Sequence, residues 1–216
     1  METSSIPINN VFEEKNNDYY NFPTFFLSYP TFKYYFKELN LTVSTFNIIE
    51  SNDNNAKTVF FNTITGIEHP NELPINKDFL EYDIVYKREY ITPKFDGILE
   101  NMGIKRLNYY NYFSELLEEY MNIEVKELPQ EILQIVSFIL FINREGLIYI
   151  FDYPYNVISI KNRKLIWTIM KDFCKVNHKI GLSCENDKRT GCIYTIKKFN
   201  NNDYYGIMNS GDLQNV

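Results

Sequence analysis

From Phe25 onward the chain reads as short extended stretches that give way to alternating helices and strands. "FFLSYP" and "KELNLTVSTFNIIE" come first. Leu39, Leu41 and Val43 alternate with polar neighbours, as in a half-buried strand, while Phe46, Ile48 and Ile49 suit a buried one. "SNDNNA", residues 51–56, is a loop signal. "KTVFFNTITGI" then sets Val59, Phe60, Ile64 and Ile67 at helical spacing, with Gly66 near the stop. "DIVY" (83–86) predicts a short strand. "RLNYYNYFSELLEEYMN" (106–122) predicts an amphipathic helix with Tyr109, Phe113, Leu116, Leu117 and Tyr120 on one face. In "ELPQEILQIVSFILFINRE", Pro129 fits the first turn of a helix, where its missing N–H costs little. That helix is nearly all apolar by its end and should be buried. A strand at 147–151, a basic amphipathic helix near 161–176 and the strands "KIGLSC" and "CIYTIKKF" follow.

Strands alternating with helices after residue 140 imply an α/β fold with a parallel sheet. The helical middle reads as an insert, over about 88–127 and extending to about 142 with the apolar helix. Residues 1–25 are polar and Asn-rich and read as a loose tail. The domain spans 26–200, and 201–216 form a second tail. No internal repeat is visible.

Composition narrows the picture only slightly. With 216 residues, 44% of them apolar and 17% aromatic, one large domain with a sizeable core is expected. No stretch reaches the roughly 18 uninterrupted apolar residues of a membrane span. The N-terminal stretch is polar and lacks a signal-peptide pattern, so a cytoplasmic protein is expected. Cys174, Cys184 and Cys192 are too few and too scattered for a disulfide framework or a metal cage, and read as reduced thiols. The net charge of −6 is uneven: residues 161–216 hold ten Lys/Arg against five Asp/Glu, so the rest of the chain is strongly acidic. A basic face for an RNA-rich partner and an ordinary solvated surface both fit that split.

Two positions carry candidate chemistry. Phosphate-binding loops have the form G-x-x-x-x-G-K-[ST] between a strand and a helix: backbone N–H groups curl round the phosphates, Lys neutralises oxygens and Ser/Thr holds Mg²⁺. Residues 51–58 stand in that place. Lys57 and Thr58 fit it, but Ser51 and Ala56 replace the glycines, and Asp53 sets a negative charge where phosphate oxygens would lie. The other reading is a polar loop leading into a helix. Asp152 ends the apolar run "LIYIF", as a Mg²⁺-holding aspartate does in many nucleotide hydrolases. It is equally a strand that happens to end in Asp.

The stretch "ELPQEILQIVSFILFINREGLIYIFDYP" resembles the end of an ABC-type ATPase domain, with its L-S-G-G-[EQ] signature, buried helix and strand ending D-E-P. On that resemblance residues 128–132 occupy the signature, Gln134 matches a following glutamine and Asp152 the Mg²⁺ aspartate. Tyr153 replaces the catalytic glutamate, Ser159 the D-loop aspartate and Glu185 the switch histidine. "VYKREYITPKFDG" (85–97), "EVKEL" (124–128) and "LSYP" (27–30) resemble the second cassette of the RNase L inhibitor family, iron–sulfur ATPases that split ribosomes, with Glu89 in place of the Q-loop glutamine. The resemblance covers about residues 26–200, one cassette of two, without a Cys-rich cluster region, so no iron–sulfur centre is expected.

The resemblance implies a RecA-like mixed sheet with a P-loop fold and an inserted helical subdomain. Lys57, Thr58, Asp152 and Tyr29, at the adenine-stacking place, would be vestiges of a nucleotide site. Tyr29 is as readily core packing. Preorganised charge does most of the work in phosphoryl transfer, and here nearly every group that supplies it is replaced. No turnover and no resident cofactor are expected, with weak ATP or Mg²⁺ binding the residual reading. A fold kept without its chemistry is expected to serve through its surface. The leading expectation is a ribosome-binding pseudoenzyme, such as a dormancy factor occupying the recycling site, with Lys161, Arg163, Lys164, Lys171, Lys175, Lys188 and Arg189 as RNA contacts. The alternative is a regulatory half-cassette that pairs with and blocks a full-length ABC ATPase.

Overall fold

The computed structural model describes residues 19–22, 24–51, 53–65, 67, 84–87, 97–151, 157–185, 192–198 and 203–208. Among them the strands are β1 (Tyr19–Phe22), β2 (Phe25–Ser28), β3 (Lys33–Phe36), β4 (Leu39–Thr42), β5 (Thr45–Ser51), β6 (Ile84–Lys87), β7 (Ile148–Phe151), β8 (Ile180–Glu185), β9 (Cys192–Lys198) and β10 (Asp203–Met208). The α-helices are α1 (Asn54–Ile64), α2 (Ser114–Glu118), α3 (Gln130–Ile142) and α4 (Ile160–Val176). The main sheet has the order β2-β3-β10-β9-β5-β8-β7-β6, and β1 pairs with β4 in a separate ribbon. Its centre is parallel, β9, β5, β8, β7 and β6 running one way. Antiparallel pairs β2·β3 and β9·β10 make the whole sheet mixed.

The run "IYIF" shows why a buried strand is apolar on both sides. Every residue of β7 is buried, and successive side chains point to opposite faces. Tyr149 and Phe151 enter the core shared with α3 and α4, where Phe138 and Phe141 meet Phe151 at ring-centroid distances of 5.4 and 5.2 Å. Ile148 and Ile150 enter the other core, with Ile49, Leu182 and the α1 residues Phe60, Phe61 and Ile64. The sheet therefore separates α1 on one face from α3 and α4 on the other.

Several expectations need correction. The helix predicted over 106–122 is broken into single turns, a 3₁₀ turn at Tyr110–Tyr112 and the five-residue α2. Tyr109 adopts a left-handed φ of 68°, Phe113 leaves the helical region, and neither turn has a side-chain cap. Tertiary burial decides which residues face inward: Tyr110, Phe113, Leu117 and Met121 are buried, while Tyr109, Leu116 and Tyr120 are partly so. Ile67 is not on α1. The helix ends at Ile64, and Ile67 is 56% exposed in the turn beyond. Pro129 is the N-cap of α3 rather than a first-turn residue. Strands also reach into both stretches expected as tails: β1 of the two-stranded ribbon begins at Tyr19, and β10 inserts between β3 and β9 of the main sheet.

Candidate nucleotide site

In open α/β sheets, ligands bind beyond the carboxyl ends of the parallel strands. Here those ends are in register, with Glu50 of β5 opposite Glu185 of β8 and Phe151 of β7 opposite Ser183. Lys57 and Thr58, on the helix that follows β5, lie at that end of the sheet. The phosphate loop does not have the expected shape. β5 continues through Ser51 and α1 starts at Asn54, leaving two connecting residues. A cradle needs several loop residues with exposed N–H groups.

Asp53 closes what remains. It is the N-cap of α1, and its Oδ1 accepts from the Ala56 N–H at 2.8 Å. Its carbonyl accepts from the Lys57 N–H at 3.1 Å and from the Ser51 hydroxyl at 2.9 Å. Its Oδ2 accepts from the Tyr204 hydroxyl at 2.9 Å. A carboxylate at a helix N-terminus is favourable for the same reason that a phosphate is, so the side chain takes up the helix end that an anionic ligand would use. A further negative charge about 4 Å away would be opposed by about 4 kcal/mol at an effective dielectric of about 20.

The cap is backed by aromatics. Tyr204 is buried and stacks on Tyr34, centroids 5.0 Å apart and planes at 15°. Burial, together with the hydrogen bond and charge of Asp53 and the nearby Tyr34, pushes the Tyr204 phenol up to about 12, so it stays protonated and donates. Burial and then the Asp53 charge raise Tyr34 as well. Tyr29 is half-buried and meets Tyr34 edge-on at 5.8 Å, so the core-packing reading describes its place. Lys57 is buried in the first turns of α1 and Thr58 is half-buried. At the strand end, Glu50 is buried and the Thr195 hydroxyl lies 3.5 Å from its Oε2.

The signature position is also used structurally. Leu128 and Ile132 are buried, as is Gln134. Glu131 is half-buried, and its Oε1 accepts from the Ser159 N–H at 2.9 Å and the Asn162 Nδ2 at 2.8 Å. Ser159, at the D-loop place, is the N-cap of α4. Glu131 thus joins the starts of α3 and α4. Desolvation tends to raise its pKa, but hydrogen bonds from Ser159 and Asn162 outweigh this and lower it below the ordinary 4.5. A folded-state pKa below the unfolded one gives stability that is full above pH 4.5 and is lost as pH falls through the lowered value. Acid unfolding of Glu131→Gln should therefore lack part of this loss. Urea midpoints should fall less between pH 5 and pH 3 in the variant than in the natural protein.

Asp152, Tyr153, Glu89, Lys188 and Arg189 lie outside the described residues, as does the side chain of Glu185. Lys161, Lys164, Lys171 and Lys175 are exposed on α4, whereas Arg163 is half-buried. The structure therefore brings Lys57, Thr58 and Tyr29 to one end of the sheet and places the α4 cations elsewhere. Sequence reasoning placed a negative charge at Asp53 but missed its role as a cap, although D-N-N-A before a helical pattern is an N-cap signal. Nothing in the sequence signalled that Tyr204 would reach Asp53, 151 residues away.

The architecture is that of the ABC-type ATPase cassette, a P-loop fold. A chain in the crystal structure of the archaeal ribosome recycling factor bound to an archaeal ribosomal stalk protein superposes with a TM-score of 0.69 at 20% identity, over 87% of this chain and 38% of that one. An ATP-binding cassette of an ABC transporter gives 0.60 at 13% identity, over 86% and 88%. In sequence, an uncharacterized ABC transporter ATP-binding protein of Methanocaldococcus jannaschii is 28% identical over 123 residues, 54% of this chain and 20% of that protein. The chain thus spans about a fifth of that curated relative and under two fifths of the recycling-factor chain. No protein-family model matches the sequence. Among the described residues, no helix is long and apolar enough to cross a membrane.

Proposed function

We propose that this protein is a non-catalytic cassette that works as a binding module on the translation machinery, at or near the place where a ribosome-recycling ATPase acts. The observation that carries the non-catalytic reading is the Asp53 cap: two connecting residues and an internal carboxylate stand where a phosphate cradle would need open N–H groups. The translational partner is supported by the likeness in fold to a chain of the recycling-factor complex with a ribosomal stalk protein. On this reading the sheet and helices persist as a scaffold, and occupancy of a ribosomal site replaces turnover.

Two measurements test it. Titration calorimetry with Mg-ATP should give no saturable heat. Micromolar binding that disappears in Lys57→Ala would overturn the closed-site reading. Co-sedimentation with ribosomes at low salt should place the protein in the ribosomal pellet. Free migration there, or recovery of a cassette ATPase without ribosomal protein, would overturn the translational reading.

A further inference from the structure

We propose that the exposed side of α4 is a phosphate-reading face, a row of four lysines that lies along the sugar–phosphate backbone of structured RNA. The inference rests on the translational reading above and names its contact surface and ligand chemistry. At about 100° per residue, Lys161, Lys164, Lys171 and Lys175 fall within an arc of about 80°, with Thr168 between them, and the row is about 21 Å long. All five residues are exposed. The opposite side of the helix, Ile166, Ile169, Met170, Phe173 and Cys174, is buried in the core. The row is therefore held rigidly by the fold and cannot turn away.

The lysines are also uncompensated. Among the described residues, Lys105 pairs with Glu100 and Glu118 and Lys126 with Glu124, and no ion pair joins a lysine of α4 to another described residue. Asp172 is the one acidic residue of the helix, exposed at one border of the row. A chain of net charge −6 thus concentrates four unpaired cations on a single helical line. Arg163 lies about 120° round the helix from the middle of the row and is half-buried, which removes it from the contact set expected from sequence. Lysine is a compact point charge without a bidentate fork, so the row is suited to phosphates and not to base edges. Binding should be insensitive to base sequence. An acidic protein would also satisfy the charge, but the extension of the row along about 21 Å of helix and the lack of apolar side chains within it favour a repeating anion.

The test uses the full chain and a fluorescent 20-base-pair RNA duplex, followed by anisotropy across potassium chloride concentrations. Four phosphate contacts predict a slope of log K against log salt of about −3 to −3.6, or about a 100-fold loss between 50 and 200 mM salt. Each single Lys→Gln change at 161, 164, 171 or 175 should make the slope shallower by about 1. The quadruple Lys→Gln variant should lose at least ten-fold in affinity at 50 mM salt, whereas Lys105→Gln should change little. Gln is a good helix former at exposed positions, and an unchanged urea midpoint would show that the variant folds. An unchanged affinity and slope in the quadruple variant would overturn the proposal. Ribosome pelleting of the same variant separates the two readings: ribosome binding that persists while duplex binding is lost would overturn only the assignment of α4 as the contact face. A natural protein that binds the duplex with the expected slope but never pellets with ribosomes would overturn the translational reading and leave the RNA face standing.

Discussion

Phe60→Ala should lower the unfolding free energy by about 3–5 kcal/mol, read as an earlier urea midpoint with little change in slope. Phe60 has no exposed surface and anchors α1 against the sheet. Its ring meets Phe36 edge-on at 5.1 Å, stacks near Tyr194 at 5.3 Å and touches Phe61 at 5.8 Å. Truncation removes both the burial of the ring and its contacts with three other aromatics, which are themselves too confined to collapse into the space. Phe60→Leu should lose clearly less, since it keeps much of the apolar volume. The consequence reaches the candidate site, because α1 carries the Asp53 cap at its start. A loss below about 1 kcal/mol would mean that α1 is not clamped as described.

Gly206→Ala should destabilise by about 1–3 kcal/mol, the range for overpacking a core. A Cβ at Gly206 would lie 2.5 Å from the Tyr194 hydroxyl, 2.6 Å from its Cε1 and 2.7 Å from Phe36 Cδ1. Tyr194 cannot swing aside. It is fully buried and its hydroxyl donates to the Lys37 carbonyl at 2.8 Å. Burial raises its pKa far above the ordinary tyrosine value, so the donor is permanent. The glycine is thus required by close approach of a neighbouring ring, at the point where β10 enters between β3 and β9. In Tyr194→Phe the nearest clashing atom is gone, so the double variant should lose less than the sum of the two single losses. Strict additivity in denaturant melts would argue against the contact.

These two positions differ in how far the sequence announced them. Phe60 was marked by its helical spacing with Val59 and Ile64. Gly206 lay in a stretch that reads as a polar tail, because "NNNDYYGIMNS" has no clean alternation and only its pairing to β3 and β9 makes it a strand. The same contrast separates α3 from the segment before it. "EILQIVSFILFI" is apolar enough to fix a buried helix by itself, and it forms over Gln130–Ile142. "RLNYYNYFSELLEEYMN" has helical spacing, yet aromatic and Asn residues hold the backbone weakly in a helix. Packing of Tyr110, Phe113 and Leu117 against the core breaks it into turns.

The candidate site divides in the same way. Sequence order alone located a strand, a short polar link and a helix carrying Lys57 and Thr58, and it put a negative charge at Asp53. Those are local features, set by residue type and spacing within a few positions. It also fixed the fold class, since runs such as "IYIF" are buried on both faces and only a covered parallel sheet accommodates that. What the tertiary structure decided is long-range. The reach of Tyr204 to Asp53, the joining of Glu131 to the start of α4, and the separation of Arg163 from the four-lysine row all depend on which elements pack together and on how α4 is rotated against the core. Periodicity can orient one helix, but it carries no record of the neighbour that a polar side chain will meet. That pairing is fixed only when the sheet has brought distant strands side by side.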